Sequence, residues 1–167
     1  MKIAFFSDIH GVPGTLQKFF DHSDALGAEL LVLLGDALYH GPRNGVPVEY
    51  DPKKVAEMLN SRGDRILAVR GNCDCDVDQM MLSFPIMSEY AQLAVDERRF
   101  FLTHGHLFGV KSGTKALLSM AKDCGAQLAL YGHTHIANLE EASGVTLLNP
   151  GTAGRLGRSS YAVAELE

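Results

Sequence analysis

The sequence predicts an α/β protein in which two mixed β-sheets pack together with helices outside. Apolar strands alternate with helices through the first half of the chain, whereas strands crowd the second half. The first strand also lacks the glycine-rich turn that cradles a phosphate, which removes a single dinucleotide-binding sheet from consideration.

Ile3 to Phe6 reads as the first strand, delivering Ser7-Asp8-Ile9-His10-Gly11. A helix follows from about Pro13: Leu16, Phe19, Phe20 and Ser23 recur at helical spacing, and Gly27 closes it. The run Leu30-Leu31-Val32-Leu33-Leu34 has no polar face, so it belongs to a strand covered on both sides, broken by Gly35 and followed at once by Asp36. A carboxylate at the tip of a central strand stands where open α/β sheets place their ligand crevice. After a polar loop from Tyr39 to Gly45, Asp51-Pro52 pairs an N-cap with a proline at the first helical position. That helix carries Val55, Met58 and Leu59 on its apolar stripe and ends at Gly63.

Ile66 to Val69 is the third strand, leading into Arg70-Gly71-Asn72-Cys73-Asp74, and the following stretch reads as loop. Within it, Met80-Met81-Leu82 and Phe84-Pro85-Ile86-Met87 suit core or a subunit contact. Gln92–Val95 and Arg99–Thr103 form an antiparallel pair turned at Asp96-Glu97, and the second of them delivers His104-Gly105-His106. A helix from about Gly113 to Cys124 turns Leu117, Leu118, Ala121 and Cys124 inward before Gly125. Leu128 to Tyr131 is another strand, ending in Gly132-His133-Thr134-His135. The tail alternates like hairpin strands (Ala137–Glu141, Val145–Leu148 and Tyr161–Leu166) around Asn149-Pro150-Gly151.

The composition fits one globular domain over residues 1–167: 46% of the residues are hydrophobic and 21% charged, enough apolar material for a core. A net charge of −5 argues against a protein that grips long polyanions, so no stable nucleic-acid binding is expected. No apolar stretch approaches the ~20 residues of a membrane span, and the apolar start is too short for a signal peptide. The cysteines, Cys73, Cys75 and Cys124, are odd in number and lack zinc-finger spacing, so a reducing cytoplasm is expected.

What stands at the strand tips carries the chemistry. Asp8 and His10, Asp36, Asn72, His104, and His133 with His135 are seven oxygen and nitrogen donors, without sulfur, presented by five strands. Asp8-x-His10 and His133-x-His135 are expected to put both side chains on one side of an extended segment, because strand side chains repeat every second residue. Any one of these residues has a plainer reading: a strand-tip Asp is often an N-cap, and Asn72 alone would hold a turn. Histidines gathered after buried strands have no such packing rationale. Donors of this kind suit Mn, Fe, Zn, Co, Ni or Mg. Seven overfill one site, whereas two ions sharing Asp36 would each receive roughly four contacts and keep positions open for water and substrate.

In that order, Asp8-x-His10, Gly35-Asp36, Gly71-Asn72, His104 and Gly132-His133-x-His135 resemble the blocks of the calcineurin-like metallophosphoesterase superfamily. The resemblance is closer to its small bacterial and archaeal phosphodiesterases, the YfcE type, through His40-Gly41-Pro42-Arg43-Asn44, Val69-Arg70-Gly71-Asn72-Cys73-Asp74 and Leu102-Thr103-His104-Gly105-His106. It implies a four-layer αββα sandwich, two divalent ions with manganese foremost, and hydrolysis of small phosphodiesters. It also implies assembly into dimers or tetramers. Block by block, Asp8, His10, Asp36 and His135 are implied for one ion, and Asp36, Asn72, His104 and His133 for the other. A phosphomonoesterase or a non-catalytic scaffold on the same fold are the competing readings, and the intact donor set argues against the scaffold.

Larger members of that superfamily carry a histidine directly after the block-three asparagine. Here the position is Cys73, a weak hydrogen-bond donor, which favours esters with good leaving groups. His40 and His106 are possible substitutes. Arg43 and His40 belong either to the phosphate pocket, where a guanidinium fork can take two oxygens, or to a solvated loop. His22 is read as a surface residue, and Asp74 either orients a ligand or caps a turn.

Overall fold

The computed structural model describes residues 1–154 and 157–166. Two sheets form. The first has the order β3-β2-β1-β9 and is built from β1 (Lys2–Phe6), β2 (Leu30–Leu33), β3 (Ile66–Ala68) and β9 (Ala162–Glu165). Its first three strands run parallel, and β9 closes the edge antiparallel to β1. The second has the order β4-β5-β6-β8-β7, from β4 (Tyr90–Val95), β5 (Arg98–Thr103), β6 (Leu128–Leu130), β7 (Asn138–Ala142) and β8 (Val145–Asn149). There β5, β6 and β8 are parallel, while β4 and β7 pair antiparallel at the edges.

The strand residues sort by parity into two faces, as a pleat requires. Ile3 and Phe5 of β1 and Val32 of β2 meet Phe100, Leu102 and Leu130 of the second sheet, forming a core between the sheets. Their neighbours Ala4, Phe6, Leu31 and Leu33 point the other way. They pack on α1 (Pro13–Ala25) through Leu16, Phe19 and Phe20, and on α2 (Pro52–Asn60) through Val55 and Leu59. On the far side, Phe101, Ala129 and Leu147 receive Leu117 and Ala121 of α4 (Lys115–Asp123). Helix, sheet, sheet, helix is the four-layer αββα sandwich. The Leu30–Leu34 run lacks a polar face because both of its faces are covered.

Local signals explain the element ends. Asp51 caps α2, its carboxylate accepting the Lys54 N–H at 2.9 Å. The β4–β5 hairpin turns at Asp96-Glu97, with Val95 opposite Arg98. Two expectations need correction. A short helix, α3 (Asp76–Met81), occupies a stretch read as loop; six residues are too few to show helical periodicity, and Asp78 seeds it by accepting the Cys75 N–H at 2.7 Å. Leu82, Phe84 and Ile86 after it are core residues, and Met80 is exposed. Asn149-Pro150-Gly151 does not fold the last strand back on β8: it leads out of the second sheet, β9 pairs with β1 in the first, and the β7–β8 hairpin turns at Ser143-Gly144, both at positive φ. Among the described residues no helix is long and apolar enough to cross a membrane.

Candidate metal centre

The strands that matter end at one edge of the sandwich. Asp8 and His10 follow β1, Asp36 follows β2 and Asn72 follows β3; from the second sheet, His104 follows β5, and His133 and His135 follow β6. The parallel pairing of β1 and β2 persists past the strands, with Asp8 N–H donating to Gly35 O and His10 N–H to Asp36 O, both at 3.0 Å. The backbone does not stay extended, however. Asp8, His10, Asp36, His133 and His135 all have φ between 50° and 68°, in the left-handed region. Two donors of each x-spaced pair therefore reach the same place through a left-handed turn and not through strand alternation. Asp and His tolerate this conformation better than most residues, but each such turn still costs about 1 kcal/mol or more. Five of them on candidate ligands mark a site whose shape is held against local preference.

The donor atoms converge tightly. Asp8 Oδ1 is buried with no aligned hydrogen-bond partner and lies 3.1 Å from His135 Nε2, 3.7 Å from His10 Nε2 and 3.9 Å from His104 Nε2. Asp36 Oδ2 stands 3.6 Å from His10 Nε2 and 3.4 Å from His104 Nε2, so a single oxygen faces both halves of the cluster. His104 Nε2 is 3.1 Å from Asn72 Oδ1 and 3.2 Å from His133 Nδ1. His10 turns its Nδ1 to Tyr39 O at 2.8 Å, and His104 turns its Nδ1 to Leu34 O at 2.6 Å. Those carbonyls hold each ring with Nδ1 protonated and Nε2 free to face inwards, as metal-ligating histidines require.

Charge is concentrated here and mutually compensated. Burial pushes the Asp8 carboxyl up, but its contacts with His10 and His135 and the charge of His104 outweigh this and leave it well below the carboxylate range. Asp36 is lowered in the same way, burial opposing and His104 winning. His104 loses charge stability through burial yet is raised to about 9 by Asp36 and Asp8. His133 is driven down to about 4 by burial and by the charge of His104. Buried carboxylates and imidazoles that can hold such a cluster only by sharing positive charge among themselves fit a divalent cation, whose charge would take over that role. Asp8, His10 and His135, and Asp8, Asp36 and His104, each offer donor atoms close enough to hold one ion.

Asp74 decides how the tips of β2 and β3 sit. It is buried, and its carboxylate accepts Asp36 N–H at 2.8 Å, Gly71 N–H at 2.7 Å and Ala37 N–H at 2.9 Å. Burial and the neighbouring Asp36 charge push its own carboxyl up. Asp74 thus orients Asp36 through the backbone and touches no donor atom of the cluster. Gly71 must be glycine for a related reason, because a Cβ there would overlap Asp36 Oδ1 and its amide nitrogen.

A cleft of about 570 Å³ opens above the donors, walled by Tyr39, Arg43, Asn44, Cys73 and Lys111. Arg43 thus lines the same cleft as the candidate donors. Lys111 was missed; a single exposed lysine in a glycine-rich loop carries no periodic signal. Among the described residues neither cation has a carboxylate within ion-pair distance, so both are free to meet an anion. Cys73 donates its backbone N–H to Asp36 Oδ1 at 2.8 Å, and burial and the Asp36 charge push its thiol up to about 12. His40 does not line this cleft. It borders an adjoining cavity with Arg43, His135 and Thr152, its ring packed edge-on against Tyr50. His106 sits behind His104, with ring centroids 5.4 Å apart, outside the cleft.

Comparison with known proteins places this geometry. Residues 1–167 match the calcineurin-like phosphoesterase superfamily domain. Phosphodiesterase YfcE of Escherichia coli (strain K12) is 43% identical over 152 residues, which is 91% of this chain and 79% of the relative. A phosphodiesterase of Methanocaldococcus jannaschii is 28% identical over 158 residues, covering 90% of this chain and 83% of its own. The solved structure of the E. coli phosphoesterase YfcE superposes with a TM-score of 0.85 at 40% identity, spanning 99% of this chain and 88% of that one. Zn-complexed wild-type Vps29 of Entamoeba histolytica shares the fold, with a TM-score of 0.69 at 18% identity over 99% of this chain and 86% of its own. From its donor cluster, its sandwich and these relatives, the chain belongs to the calcineurin-like phosphoesterase superfamily.

Proposed function

We propose that this protein is a metal-dependent phosphodiesterase acting on small phosphate esters, with residues 1–167 as one catalytic domain. The observation that carries the reading is the convergence of donors from both sheets on Asp8 Oδ1 and Asp36 Oδ2. Asp8, His10, Asp36 and His135 would hold one ion, and Asp36, Asn72, His104 and His133 the other, with Asp36 shared. When bound, a pair of divalent ions supplies Lewis acidity towards phosphate oxygens and hydroxide near neutral pH. Manganese is the ion we propose, and the three free cysteines fit a reducing cytoplasm.

The chain's own residues do the rest. Arg43 and Lys111 line the cleft, without a carboxylate partner among the described residues, and would seat the phosphate, the guanidinium by its planar fork. Hydrolysis adds the oxygen of water to phosphorus, breaks one ester P–O bond and leaves the departing oxygen to take a proton. A Cys73 thiol donates weakly, so the departing group must be stable as an anion or find its proton in solvent. This favours esters of acidic alcohols and phenols over esters of alkyl alcohols.

The test is hydrolysis of bis(4-nitrophenyl) phosphate by Mn-supplied and EDTA-treated protein, beside 4-nitrophenyl phosphate. Turnover is expected to require metal and to favour the diester, and Asp36→Asn is expected to lower it by at least about a hundredfold. Metal-independent turnover, or Asp36→Asn matching the unaltered protein, would overturn the reading.

A further inference from the structure

Beside the phosphate cleft lies a second depression, of about 450 Å³, and its lining is almost wholly apolar: Leu38, Tyr39, Tyr50, Pro52, Val77 and Met81. Tyr39 and Cys73 line both spaces, so the two adjoin at those side chains. Cys73 is one residue from Asn72 and its backbone N–H donates to Asp36, so one wall of the depression stands beside the candidate donors. One carboxylate borders it, and its charge is engaged: Asp78 is buried and accepts the Cys75 N–H at 2.7 Å. Val77, by contrast, leaves 60% of its surface to solvent beside this hollow. An apolar hollow that begins at a strongly charged centre has no use for the phosphate itself. It suits what the phosphate carries.

We propose that this hollow receives one ester arm of the substrate, and that the arm is flat and apolar, an aryl group or one of similar shape. The inference rests on the phosphodiesterase reading and deepens it by naming the substrate class. Tyr39 is the positioning element at the junction. Its carbonyl fixes His10 at 2.8 Å while its ring, 4.7 Å from that of His40, forms the start of the apolar wall. Tyr50 lines the same hollow, its ring edge-on to that of His40 at 5.2 Å. A ring lying between Tyr39 and the Val77–Met81 edge would be removed from water while its phosphate stayed with Arg43 and Lys111.

The experiment compares two diesters with the same reporter, 4-nitrophenyl 1-naphthyl phosphate and 4-nitrophenyl methyl phosphate, with Mn-supplied protein. The naphthyl ester is expected to have a kcat/KM at least about tenfold higher through KM, and Val77→Asp is expected to abolish most of that preference. Met81→Gln is expected to act in the same direction, and it covers the case in which Val77→Asp fails to reach the native far-UV circular dichroism spectrum. Leu139→Asp, on the remote edge strand β7, is the control and is expected to keep the preference. Equal kcat/KM for the two esters, or a preference untouched by the native-like variants at 77 and 81, overturns the inference while leaving the phosphodiesterase reading in place. Turnover of neither ester overturns that reading and the inference with it. A concentration-dependent dimer that Val77→Asp dissociates, seen by sedimentation without loss of the preference, assigns the hollow to a second copy and also overturns it.

Discussion

Removing the Asp74 carboxylate tests whether the candidate site is held by backbone contacts behind it. Asp74→Ala leaves three buried N–H groups, of Asp36, Ala37 and Gly71, without an acceptor. Each orphaned donor costs about 1–3 kcal/mol. Part of this is offset, since the substitution also removes a buried charge that the nearby Asp36 opposes. A net loss of roughly 3 kcal/mol follows, or about 6–12 °C in Tm for a domain of this size. Asp74→Asn is a finer probe. Oδ2 accepts both Asp36 N–H and Gly71 N–H, so the amide oxygen can keep those two bonds while its NH2 confronts the Ala37 N–H. That costs one bond and one donor, about 1–3 kcal/mol. Urea unfolding of EDTA-treated protein measures both variants, and Mn-dependent diesterase activity is read alongside, because Asp36 moves with its own amide. The expected order is Asp74→Ala below Asp74→Asn below the unaltered protein, in stability and in activity. Asp74→Ala within about 0.5 kcal/mol of the parent would refute the reasoning, since surface substitutions produce changes of that size.

Gly71→Ala is expected to unseat Asp36, lowering Mn-dependent turnover by at least about tenfold and stability by about 1–3 kcal/mol through overpacking, read by the same assays. His104 stands at about 9, above its ordinary 6.5, so in EDTA-treated protein it contributes stability that is full below about 6.5 and lost as pH rises through about 9. His104→Gln should flatten that alkaline fall in a pH series of melts. Asp8 has the opposite sign: its contribution is present above about 3.8 and lost as acid titrates the lowered carboxyl. The Cys73 thiol, pushed up to about 12, should resist iodoacetamide at pH 8 while exposed Cys75 is labelled, and peptide mapping that finds both modified at equal rates would contradict it.

The αββα layering was legible because burial leaves a mark on every second residue. Ile3 and Phe5 against Ala4 and Phe6, and the unbroken Leu30–Leu34 run, already state that a sheet is covered on both faces. The donor set was legible for another reason: polar residues directly after apolar runs are out of place unless something needs them there. Where local signals were weak the reading missed. Helix α3 is too short to show a period, and nothing local in Asn149-Pro150-Gly151 says that the strand after it joins the other sheet.

By itself the sequence determined which groups stand at the strand tips and that five strands deliver them, because the order of residues along a chain settles what each strand end carries. It could not determine distances between strands of different sheets. Tertiary structure alone brought His104 and His133 to face Asp8 and Asp36, and it alone turned both donors of each pair inward through left-handed turns. The same holds for Asp74, Lys111 and the apolar hollow beyond Cys73: an orphan carboxylate, a solitary lysine and a scattered set of apolar residues acquire a role only when the packing of two sheets decides what lies beside them.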